Sequence, residues 1–274
     1  MAERIFRNNM GKALIGLLTD FGTGDYFVAS LKGVILSLNP EATIIDLTHD
    51  LPDFNLPAAA FVLWASYRFF PAGTIFMAVV DPGVGSERRI ILGRSERYFF
   101  VGPDNGILAP VLERERAEVY EVKGKNYFLT DRKTSFEARD KMAPLAAWLS
   151  LGIPLSELGH PVSSYERLDF PEPEVKGKEI RGMIIYQDKF GNLVTNLNQQ
   201  LLVKFLNSGR NSNLVLWAGK KKISEMASSY ALSSGEKPFF FINSLGLLEI
   251  AIYKKSAAEV LGLAPGEPAI LKVE

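Results

Sequence analysis

The first 80 residues alternate between short apolar runs and stretches with helical spacing. Three apolar runs, residues 13–18, 43–47 and 74–80, are separated by two stretches in which apolar side chains recur at helical spacing, residues 27–38 and 56–69. This order of strand, helix, strand, helix, strand implies parallel pairing, because parallel neighbours need a long crossover connection that a helix provides. The sequence therefore predicts an N-terminal α/β domain with a mainly parallel sheet.

The same kind of pattern continues toward residue 168. Further strands are predicted at residues 90–92 and 98–101, and further helices at residues 107–112 and 136–151. Neither an internal repeat nor a low-complexity tract is evident. These elements belong to the first domain.

The second half of the chain has a different pattern. Short strand-like runs are separated by Gly, Asn, Ser and Lys: residues 181–186, 193–197, 214–218, 239–242, 247–253 and 269–273. Regular short strands with turn signals predict an all-β C-terminal domain, a small barrel or a sandwich. The predicted organisation is an N-terminal α/β domain at residues 1–170, a proline-containing, charged linker at 171–178 and a C-terminal β-barrel domain at 179–274.

The charge balance and the lack of cysteine limit the possible partners. The 274-residue chain carries 31 basic and 31 acidic residues, so no net field draws it to nucleic acid or to a membrane surface. Without cysteine, disulfides and thiolate chemistry are excluded, which fits a reducing cytoplasm. No apolar run reaches the roughly 18 residues of a membrane span, and residues 1–12 lack the apolar core of a secretory signal. We expect a cytoplasmic protein whose partners are small molecules or its own copies.

One glycine-rich turn joins two opposite charges. The segment from Asp81 to Arg88, Asp-Pro-Gly-Val-Gly-Ser-Glu-Arg, follows the predicted strand at residues 74–80. Gly83 and Gly85 allow sharp bends in this turn. Loops at the carboxyl ends of strands are where open α/β sheets bind ligands. The turn is a candidate ligand site, and the alternative is a surface turn with a solvated ion pair.

Two further turns follow predicted strands. Residues 19–25, Thr-Asp-Phe-Gly-Thr-Gly-Asp, place Asp20 and Asp25 beside two glycines. The spacing is not the Gly-x-Gly-x-x-Gly of dinucleotide folds, and carboxylates would repel phosphate, so ribose hydroxyls or an ammonium group suit this turn better. Asp25 is alternatively the N-cap of the following helix. The other turn, Gly-Pro-Asp-Asn-Gly at residues 102–106, is favoured as a structural left-handed corner.

The second domain contains one polar and aromatic segment between two predicted strands, residues 186–196. Asp188 and Asn192 could hydrogen-bond an amine and a heterocycle, and Phe190 could stack on a flat ring. A plain hairpin loop is the competing interpretation.

Five segments in this order resemble the S-adenosyl-L-methionine (SAM) hydroxide adenosyltransferases, formerly a family of unknown function, which are related to the fluorinase and the chlorinase. The segments are Thr-Asp-Phe-Gly-Thr-x-Asp, Asp-Pro-Gly-Val-Gly, Gly-Pro-Asp-Asn-Gly, Phe-Gly-Asn-x-x-Thr-Asn and Asn-Ser-Leu-Gly-Leu-Leu-Glu-Ile-Ala. The resemblance runs from about residue 13 to residue 273. It implies an α/β domain joined to a β-barrel, and a homo-oligomer, a trimer, with active sites at subunit interfaces.

The resemblance assigns roles to residues that match the family's motifs. Asp20 corresponds to the carboxylate that holds the ribose hydroxyls, and Asp25 to a carboxylate near the methionine portion of the substrate. Phe54 corresponds to an aromatic side chain against the adenosine, although a phenylalanine before a helix is more often part of a core. In the second domain, the matching substrate contacts are Asp188 for the methionine amino group, Phe190 and Asn192 for adenine, and Ser244 for the methionine carboxylate.

The chain departs from the family at one position of the catalytic motif. Asp81 and Arg88 match two of the three polar residues assigned to activating water. The third is a histidine in the pattern Thr-Phe-His-Gly-Arg-Asp, whereas residues 135–140 read Ser-Phe-Glu-Ala-Arg-Asp. Glu137 therefore stands in place of the histidine, and Ala138 in place of the glycine adds a methyl group. The two histidines of this chain lie elsewhere in the sequence.

The implied reaction is hydrolysis of SAM to adenosine and L-methionine by attack of water or hydroxide at the ribose C5′ carbon. Asp81 would accept or orient the proton, Arg88 would support the developing hydroxide, and Glu137 would act as a base or hold the water. No metal site and no cofactor are expected, since SAM is the substrate, and adenosine can co-purify.

Other functions stay open at this point. One is a non-catalytic module that binds SAM or adenosine, having lost the histidine, and another is a different nucleophile or substrate selected by Glu137. A halogenase is disfavoured, because the carboxylate of Asp81 would repel halide in a desolvated pocket.

Overall fold

The computed structural model describes residues 13–123, 125–168, 172–207, 214–230 and 235–273. The chain divides into two compact units between Leu168 and Asp169. The expectation for residues 1–12 and the first position of the predicted linker, Pro171, lie outside the described residues.

The first unit contains a seven-stranded sheet. Its strands are β1 (Leu14–Thr19), β2 (Thr43–Thr48), β3 (Ile75–Val79), β4 (Ile90–Arg94), β5 (Phe99–Pro103), β6 (Glu118–Val122) and β7 (Gly159–Val162). They are ordered β2-β1-β3-β5-β4-β6-β7. The neighbours from β2 to β5 pair in parallel, and β4, β6 and β7 extend one edge in antiparallel pairs. The predicted α/β domain with a mainly parallel sheet is confirmed.

Helices cover both faces of this sheet. They are α1 (Tyr26–Leu38), α2 (Leu56–Ser66), α3 (Ala109–Glu115), α4 (Ala143–Ser150) and the short α5 (Leu155–Leu158). Leu31 of α1 and Leu145 of α4 belong to one apolar core, whereas Leu63 of α2 and Leu112 of α3 belong to a second. Successive residues of β3 alternate between the two cores, as expected for a strand that is buried on both faces.

The sheet brings two of the predicted ligand turns together. Strands β1 and β3 are parallel neighbours in which Thr19 is aligned with Val79. Their carboxyl ends therefore reach the same edge, and the turns that begin at Asp20 and Asp81 start side by side. The packing around β1 is close at Gly16, where an added Cβ would lie 2.7 Å from the side chain of Leu47 and would force that side chain to shift.

Some elements of the first unit differ from the sequence-based expectation. The predicted helix at residues 136–151 begins as a π-helix, Ala138–Met142, which leads into α4. The 3-10 turn Tyr67–Phe69 ends the second predicted helix, and another 3-10 turn is formed by Lys125–Tyr127. Strands β6 and β7 were not predicted, because their short sequences contain charged residues, glycine and proline and lack a clear apolar run.

The second unit is an all-β, nearly closed barrel. Its strands are β8 (Glu174–Lys176), β9 (Glu179–Gln187), β10 (Leu193–Asn198), β11 (Leu214–Ala218), β12 (Lys221–Ile223), β13 (Glu225–Met226), β14 (Pro238–Ile242), β15 (Leu247–Ile252) and β16 (Pro268–Val273). The main path runs β12-β11-β16-β9-β10-β15-β14-β13, and β8 pairs with β9. Strands β12 and β14 approach each other, which nearly closes the barrel. The predicted C-terminal barrel is confirmed.

Two helices of the second unit, α6 (Gln199–Asn207) and α7 (Ala257–Leu261), were not predicted. Strand β8 lies within the predicted linker, where it pairs with β9 through Glu174 and Arg181. None of the helices in the described ranges is long and apolar enough to cross a membrane.

Candidate active site

A cavity of about 360 Å³ lies at the carboxyl ends of β1 and β3 in the first unit. Its lining includes four residues with a role predicted from the sequence and three further aromatic rings: Asp20, Phe54, Asp81, Glu137, Phe21, Phe27 and Phe136. The sheet and the start of the π-helix therefore bring together turns that are far apart in the chain. Carboxylates beside aromatic rings suit a ligand that combines a flat ring with hydroxyl or cationic groups.

Asp81 and Arg88 form a two-point ion pair within their shared turn. Nε of Arg88 donates to Oδ1 of Asp81 at 2.7 Å, and Nη2 donates to Oδ2. The side chains of Asp81 and Arg88 are only 6% and 9% exposed, so the alternative of a solvated surface ion pair is wrong. Because the planar guanidinium matches the carboxylate at two points, the orientation of both groups is determined.

Glu137 joins this pair from a distant part of the chain. Its Oε2 accepts a 2.7 Å hydrogen bond from Nη2 of Arg88, and its Oε1 accepts a 2.5 Å hydrogen bond from Nζ of Lys141. Glu137 immediately precedes the π-helix, which places Lys141 one turn further along. We call Asp81, Arg88, Glu137 and Lys141 the charged cluster.

One donor of the charged cluster is still available. Among the described residues, Nη1 of Arg88 is buried and has no hydrogen-bond partner. A buried N–H without a partner is unfavourable, so this atom is ready to donate to an oxygen atom of a ligand or of water.

The turn at residues 102–106 anchors both ends of the turn that carries Asp81 and Arg88. Nδ2 of Asn105 donates to the carbonyl oxygen of Val80 at 2.8 Å, and Asp104 accepts a 2.7 Å hydrogen bond from Nε of Arg89. Gly106 has a φ of 93°, the left-handed conformation that favours glycine. This corner therefore supports the charged cluster although it belongs to another strand connection.

Asp20 and Phe54 lie together at the cavity. Oδ2 of Asp20 accepts a 3.0 Å hydrogen bond from the backbone N–H of Phe54. Phe54 has a φ of 58° and is 68% exposed as a residue, so it is not the core residue that its position before a helix suggested. An unusual left-handed conformation held by a carboxylate presents this ring at the surface.

Asp25 occupies the N-cap of α1. Its side chain accepts a 2.6 Å hydrogen bond from the backbone N–H of Tyr26. Asp25 is exposed and is not part of the cavity lining. The structure thus places Asp25 in the capping position that the sequence left open, and its contact with the methionine portion of a substrate stays a prediction.

A second cavity, of about 560 Å³, lies within the second unit. Its lining includes Asp188, Phe190 and Asn192. Oδ1 of Asp188 accepts hydrogen bonds from the backbone N–H groups of Phe190 at 2.9 Å and Asn192 at 2.8 Å. Phe190 is 76% exposed in this turn. The competing hairpin interpretation is correct as far as the backbone is concerned, since this turn joins β9 and β10, and the same turn forms a cavity wall.

A hydrogen-bond network that was not predicted from the sequence connects this turn to the turn between β14 and β15. Nδ2 of Asn192 lies 3.3 Å from the hydroxyl of Tyr230, which donates to Oε1 of Glu249. Oε2 of Glu249 accepts a 2.8 Å hydrogen bond from Nδ2 of Asn243. Burial and the hydrogen bond to Glu249 raise the pKa of Tyr230. A single carboxylate within the apolar strand β15 was the signal that could have revealed this network.

Ser244 lies in the turn between β14 and β15. Oδ1 of Asn243 accepts hydrogen bonds from Leu245 and Leu247 and so shapes this turn. Ser244 is not part of the lining of either cavity, and its contact with a methionine carboxylate stays a prediction.

Comparisons with known proteins match both units. The family model described as the SAM hydroxide adenosyltransferase N-terminal domain matches residues 15–159, and the model for the C-terminal domain matches residues 182–270. The chain belongs to the SAM hydroxide adenosyltransferase family. The resemblance inferred from the five sequence segments is therefore confirmed.

Relatives and a solved structure agree with this family membership. A Thermus thermophilus protein named (R)-S-adenosyl-L-methionine hydrolase is 34% identical, over 92% of this chain and 96% of that protein. A protein of Actinoplanes sp. named fluorinase is 30% identical, over 71% of this chain and 74% of that protein. The crystal structure of an uncharacterized conserved protein from Thermotoga maritima superposes with a TM-score of 0.86 at 33% identity, covering 94% of this chain and 99% of that chain.

Neither of the two histidines in this chain takes the place of the family histidine for which Glu137 is substituted. Nδ1 of His49 lies 2.8 Å from Oγ1 of Thr19, and its Nε2 lies 3.0 Å from Oδ1 of Asp46. His160 lies 3.8 Å from Glu121. The partners of both histidines are residues outside the charged cluster, so Glu137 is the residue that stands beside Arg88.

No group of three or more His, Cys, Asp and Glu residues within the described ranges has the arrangement to hold a metal ion. The charged cluster instead pairs each carboxylate with a cationic side chain. Its positive charges are thus supplied by arginine and lysine.

Proposed function

We propose that the protein hydrolyses SAM to adenosine and L-methionine by attack of water or hydroxide on the ribose C5′ carbon. The observation that carries the proposal is the charged cluster, in which Asp81 and Glu137 line the cavity and bind the same guanidinium. Further support comes from relatives named (R)-SAM hydrolase, which are 30% to 34% identical over 91% to 92% of this chain.

The reaction makes one bond and breaks one bond at the same carbon. An oxygen–C5′ bond forms as the C5′–sulfur bond breaks, and sulfur keeps the electron pair of the broken bond. Methionine leaves as a neutral thioether, so the leaving group needs no proton. The attacking water has a pKa of about 15.7 when free, and its proton must therefore be accepted as the new bond forms. A carboxylate oxygen of Asp81 or Glu137 accepts this proton and passes it to solvent.

Arg88 holds the oxygen nucleophile in this proposal. Its buried Nη1 has no partner among the described residues and can donate a hydrogen bond to water or hydroxide. Its other nitrogens orient Asp81 and Glu137 on either side. A preorganised donor aimed at a developing charge is a common source of rate enhancement, since it needs no reorganisation during the reaction.

The first unit binds the ribose and part of the adenosine. Asp20 lines the cavity, and its carboxylate is suited to accept hydrogen bonds from ribose hydroxyls. Phe54 presents an exposed ring beside Asp20 for contact with the adenosine. Asp25 lies near the start of α1 and contributes a negative charge for the methionine portion.

The second unit binds adenine and the methionine amino acid. Phe190 and Asn192 line the second cavity and contact adenine by stacking and hydrogen bonding. The carboxylate of Asp188 attracts the methionine ammonium group, and Ser244 donates to the methionine carboxylate. Support for these assignments is the cavity formed by Asp188, Phe190 and Asn192.

We further propose a homotrimer with active sites at subunit interfaces. Support comes from Phe54 and Phe190, which are 68% and 76% exposed in the single chain. Large exposed aromatic side chains beside cavities are typical of surfaces that a partner covers. Native mass spectrometry tests the trimer. Co-refolded Asp81→Asn and Asn192→Ala chains test the shared sites, because partial recovery of activity requires that each site takes residues from different subunits.

The proposed reaction uses no cofactor, and we propose a cytoplasmic location. SAM serves as the substrate, and the charges at C5′ are handled by side chains of the charged cluster. The absence of cysteine from the 274-residue sequence is compatible with a reducing compartment. Turnover that persists after dialysis against EDTA is the expected result, and loss of turnover that Mg²⁺ or Zn²⁺ restores would contradict the cofactor-free reaction.

The acidic lining of the first cavity favours hydrolysis over halogenation. Asp81 and Glu137 both line this cavity, and two carboxylates disfavour a desolvated halide ion nearby. Water is a neutral nucleophile that these carboxylates can deprotonate. Chloride or fluoride is therefore expected to yield no halogenated nucleoside.

The decisive experiment is incubation with SAM in ¹⁸O-labelled water, followed by mass spectrometry of adenosine and methionine. The names of the relatives specify the (R) form, so the two sulfonium epimers are supplied separately. Adenosine that carries ¹⁸O with the wild type, and not with Asp81→Asn, is the expected result. Saturable SAM binding without enzyme-dependent product at any pH would overturn hydrolysis in favour of a non-catalytic binding module.

A further inference from the structure

Lys141 is a largely buried cation at the edge of the proposed catalytic site. Its side chain is 12% exposed, and its Nζ lies 2.5 Å from Oε1 of Glu137 and 5.8 Å from the centre of the Phe128 ring. The carboxylate of Glu137 is itself 4% exposed. Neither the family resemblance nor the sequence motifs assigned a role to Lys141.

Within the charged cluster, the two carboxylates and Arg88 do not balance in charge without Lys141. Arg88 is one cation, and it binds both Asp81 and Glu137 through the same Nη2 atom. Two ionised carboxylates on one guanidinium leave a net negative charge. The nucleophile gains negative charge as it loses its proton, and an excess carboxylate in a site sheltered from water would oppose this step.

Lys141 also determines where the Glu137 carboxylate points. One oxygen of Glu137 is bound by Lys141 and the other by Arg88, so the carboxylate cannot rotate without breaking one of two charge-assisted hydrogen bonds. Because Lys141 is four residues after Glu137, the π-helix holds the cation close to its partner.

We propose that Lys141 is a positioning residue for the hydrolysis. It neutralises Glu137 and holds the carboxylate against Arg88, which allows a glutamate to stand at the position of the family histidine without opposing the anionic nucleophile. This inference rests on the proposed function, since it concerns the same site and the same reaction. Lys141 acts through Glu137 and makes no contact with the reacting atoms.

The experiment measures kcat and KM for Lys141→Met, Lys141→Arg and the double variant Glu137→Gln/Lys141→Met, each compared with its parent. Lys123→Met is the matched control, because Lys123 is 64% exposed and its Nζ lies 3.8 Å from Glu121. Circular dichroism and thermal melting identify folded protein. If Lys141→Met is isolated unfolded, Lys141→Gln replaces it, since glutamine keeps a hydrogen-bond donor without the charge.

We expect Lys141→Met to lower kcat roughly 10- to 100-fold, because the variant loses a close compensating charge in a partly desolvated site. KM is expected to change less than about 3-fold. Lys141→Arg is expected to recover most of kcat, and Lys123→Met to match the wild type. In the Glu137→Gln background, where no carboxylate needs neutralising, loss of Lys141 is expected to lower kcat little further.

The results also separate this inference from the proposed function. If the wild-type protein forms no product from SAM, both the proposed hydrolysis and the role of Lys141 in it are overturned. Wild-type turnover with unchanged kcat in a folded Lys141→Met or Lys141→Gln variant overturns the positioning role alone. If loss of Lys141 lowers kcat equally in the wild-type and Glu137→Gln backgrounds, the positioning role is also overturned, because Lys141 then does not act through Glu137.

Discussion

Oε2 of Glu137 accepts a 2.7 Å hydrogen bond from Nη2 of Arg88. The two residues are 49 positions apart in the sequence, and their side chains are 4% and 9% exposed. The same guanidinium also binds Asp81, so the three side chains form one connected unit. Residues connected in this way respond to substitution together, and the effects of single changes do not add.

Arg88→Lys is expected to lower kcat about 100-fold or more, because lysine keeps the charge but lacks the planar fork that reaches two carboxylates and the nucleophile. Steady-state kinetics measures this loss. Arg94→Lys is the matched control, since Arg94 and Glu118 form an ion pair whose side chains are 39% and 59% exposed. Equal activity of Arg88→Lys and Arg94→Lys would contradict the proposed role of Arg88.

Glu137→His, which restores the family residue, is expected to destabilise this protein by about 1–3 kcal/mol, since it leaves the buried ammonium of Lys141 without its carboxylate. The double variant Glu137→His/Lys141→Met is expected to recover stability, because it removes the unpaired cation as well. Urea denaturation of the three proteins measures these differences. A single variant as stable as the wild type would show that Lys141 does not depend on Glu137.

Phe190→Ala is expected to raise KM for SAM about 10-fold, as loss of aromatic stacking worth roughly 1–1.5 kcal/mol would. The unfolding midpoint should not change, because Phe190 is 76% exposed. Phe69→Ala is the control, since Phe69 is 73% exposed and lies outside both cavity linings. If both variants keep the wild-type KM, Phe190 does not contact the substrate.

Glu249→Gln is expected to destabilise the protein by about 1–2 kcal/mol, because the amide nitrogen replaces one of two acceptor oxygens and cannot accept the hydrogen bond from whichever donor it faces, Tyr230 or Asn243. KM should rise as well, since this network joins the turn that contains Asn192 to the loop at Asn243. Denaturation and steady-state kinetics measure the two effects. Glu174→Gln, on the exposed strand β8, is the control, and an identical result for both variants would reject the role of the network.

Asp140 predicts a pH-dependent contribution to stability. Burial opposes ionisation, but hydrogen bonds from Arg139 and Thr134 outweigh burial and lower the pKa of Asp140 from its ordinary value of 3.8. A carboxyl group whose pKa is lower in the folded state stabilises the protein above the unfolded-state pKa, and this stability is lost as the pH falls through the folded-state pKa.

The difference in free energy of unfolding between the wild type and Asp140→Asn should therefore have its largest value at neutral pH and decrease below about pH 4. Urea denaturation at several pH values measures it. Arg139→Met removes the 2.7 Å hydrogen bond from Nε of Arg139 to Oδ1 of Asp140. This variant should therefore lose part of the same pH-dependent stability. A difference that stays constant from neutral to acidic pH would contradict the lowered pKa of Asp140.

Local patterns were sufficient to predict much of the fold. Apolar runs and helical spacing located β1, β2, β3, α1 and α2 to within a few residues, because burial on both faces of a strand or on one face of a helix leaves a short-range pattern. Strands β6 and β7 were not predicted, since short strands that contain charges, glycine or proline lack that pattern. The helix cap at Asp25 was predictable because a cap depends on neighbouring residues alone.

The sequence alone indicated the order of elements, the two kinds of domain, the family and the turns that carry Asp20 and Asp81. Tertiary packing decided which charges meet. Arg88 reaches Glu137 only because the sheet and the π-helix bring distant segments together. Tyr230 reaches Glu249 because it packs on Phe241, which lies opposite Glu249 in the pairing of β14 with β15. Hydrophobic periodicity is a local property of the chain, whereas the pairing of a buried charge depends on three-dimensional neighbours that no local pattern records.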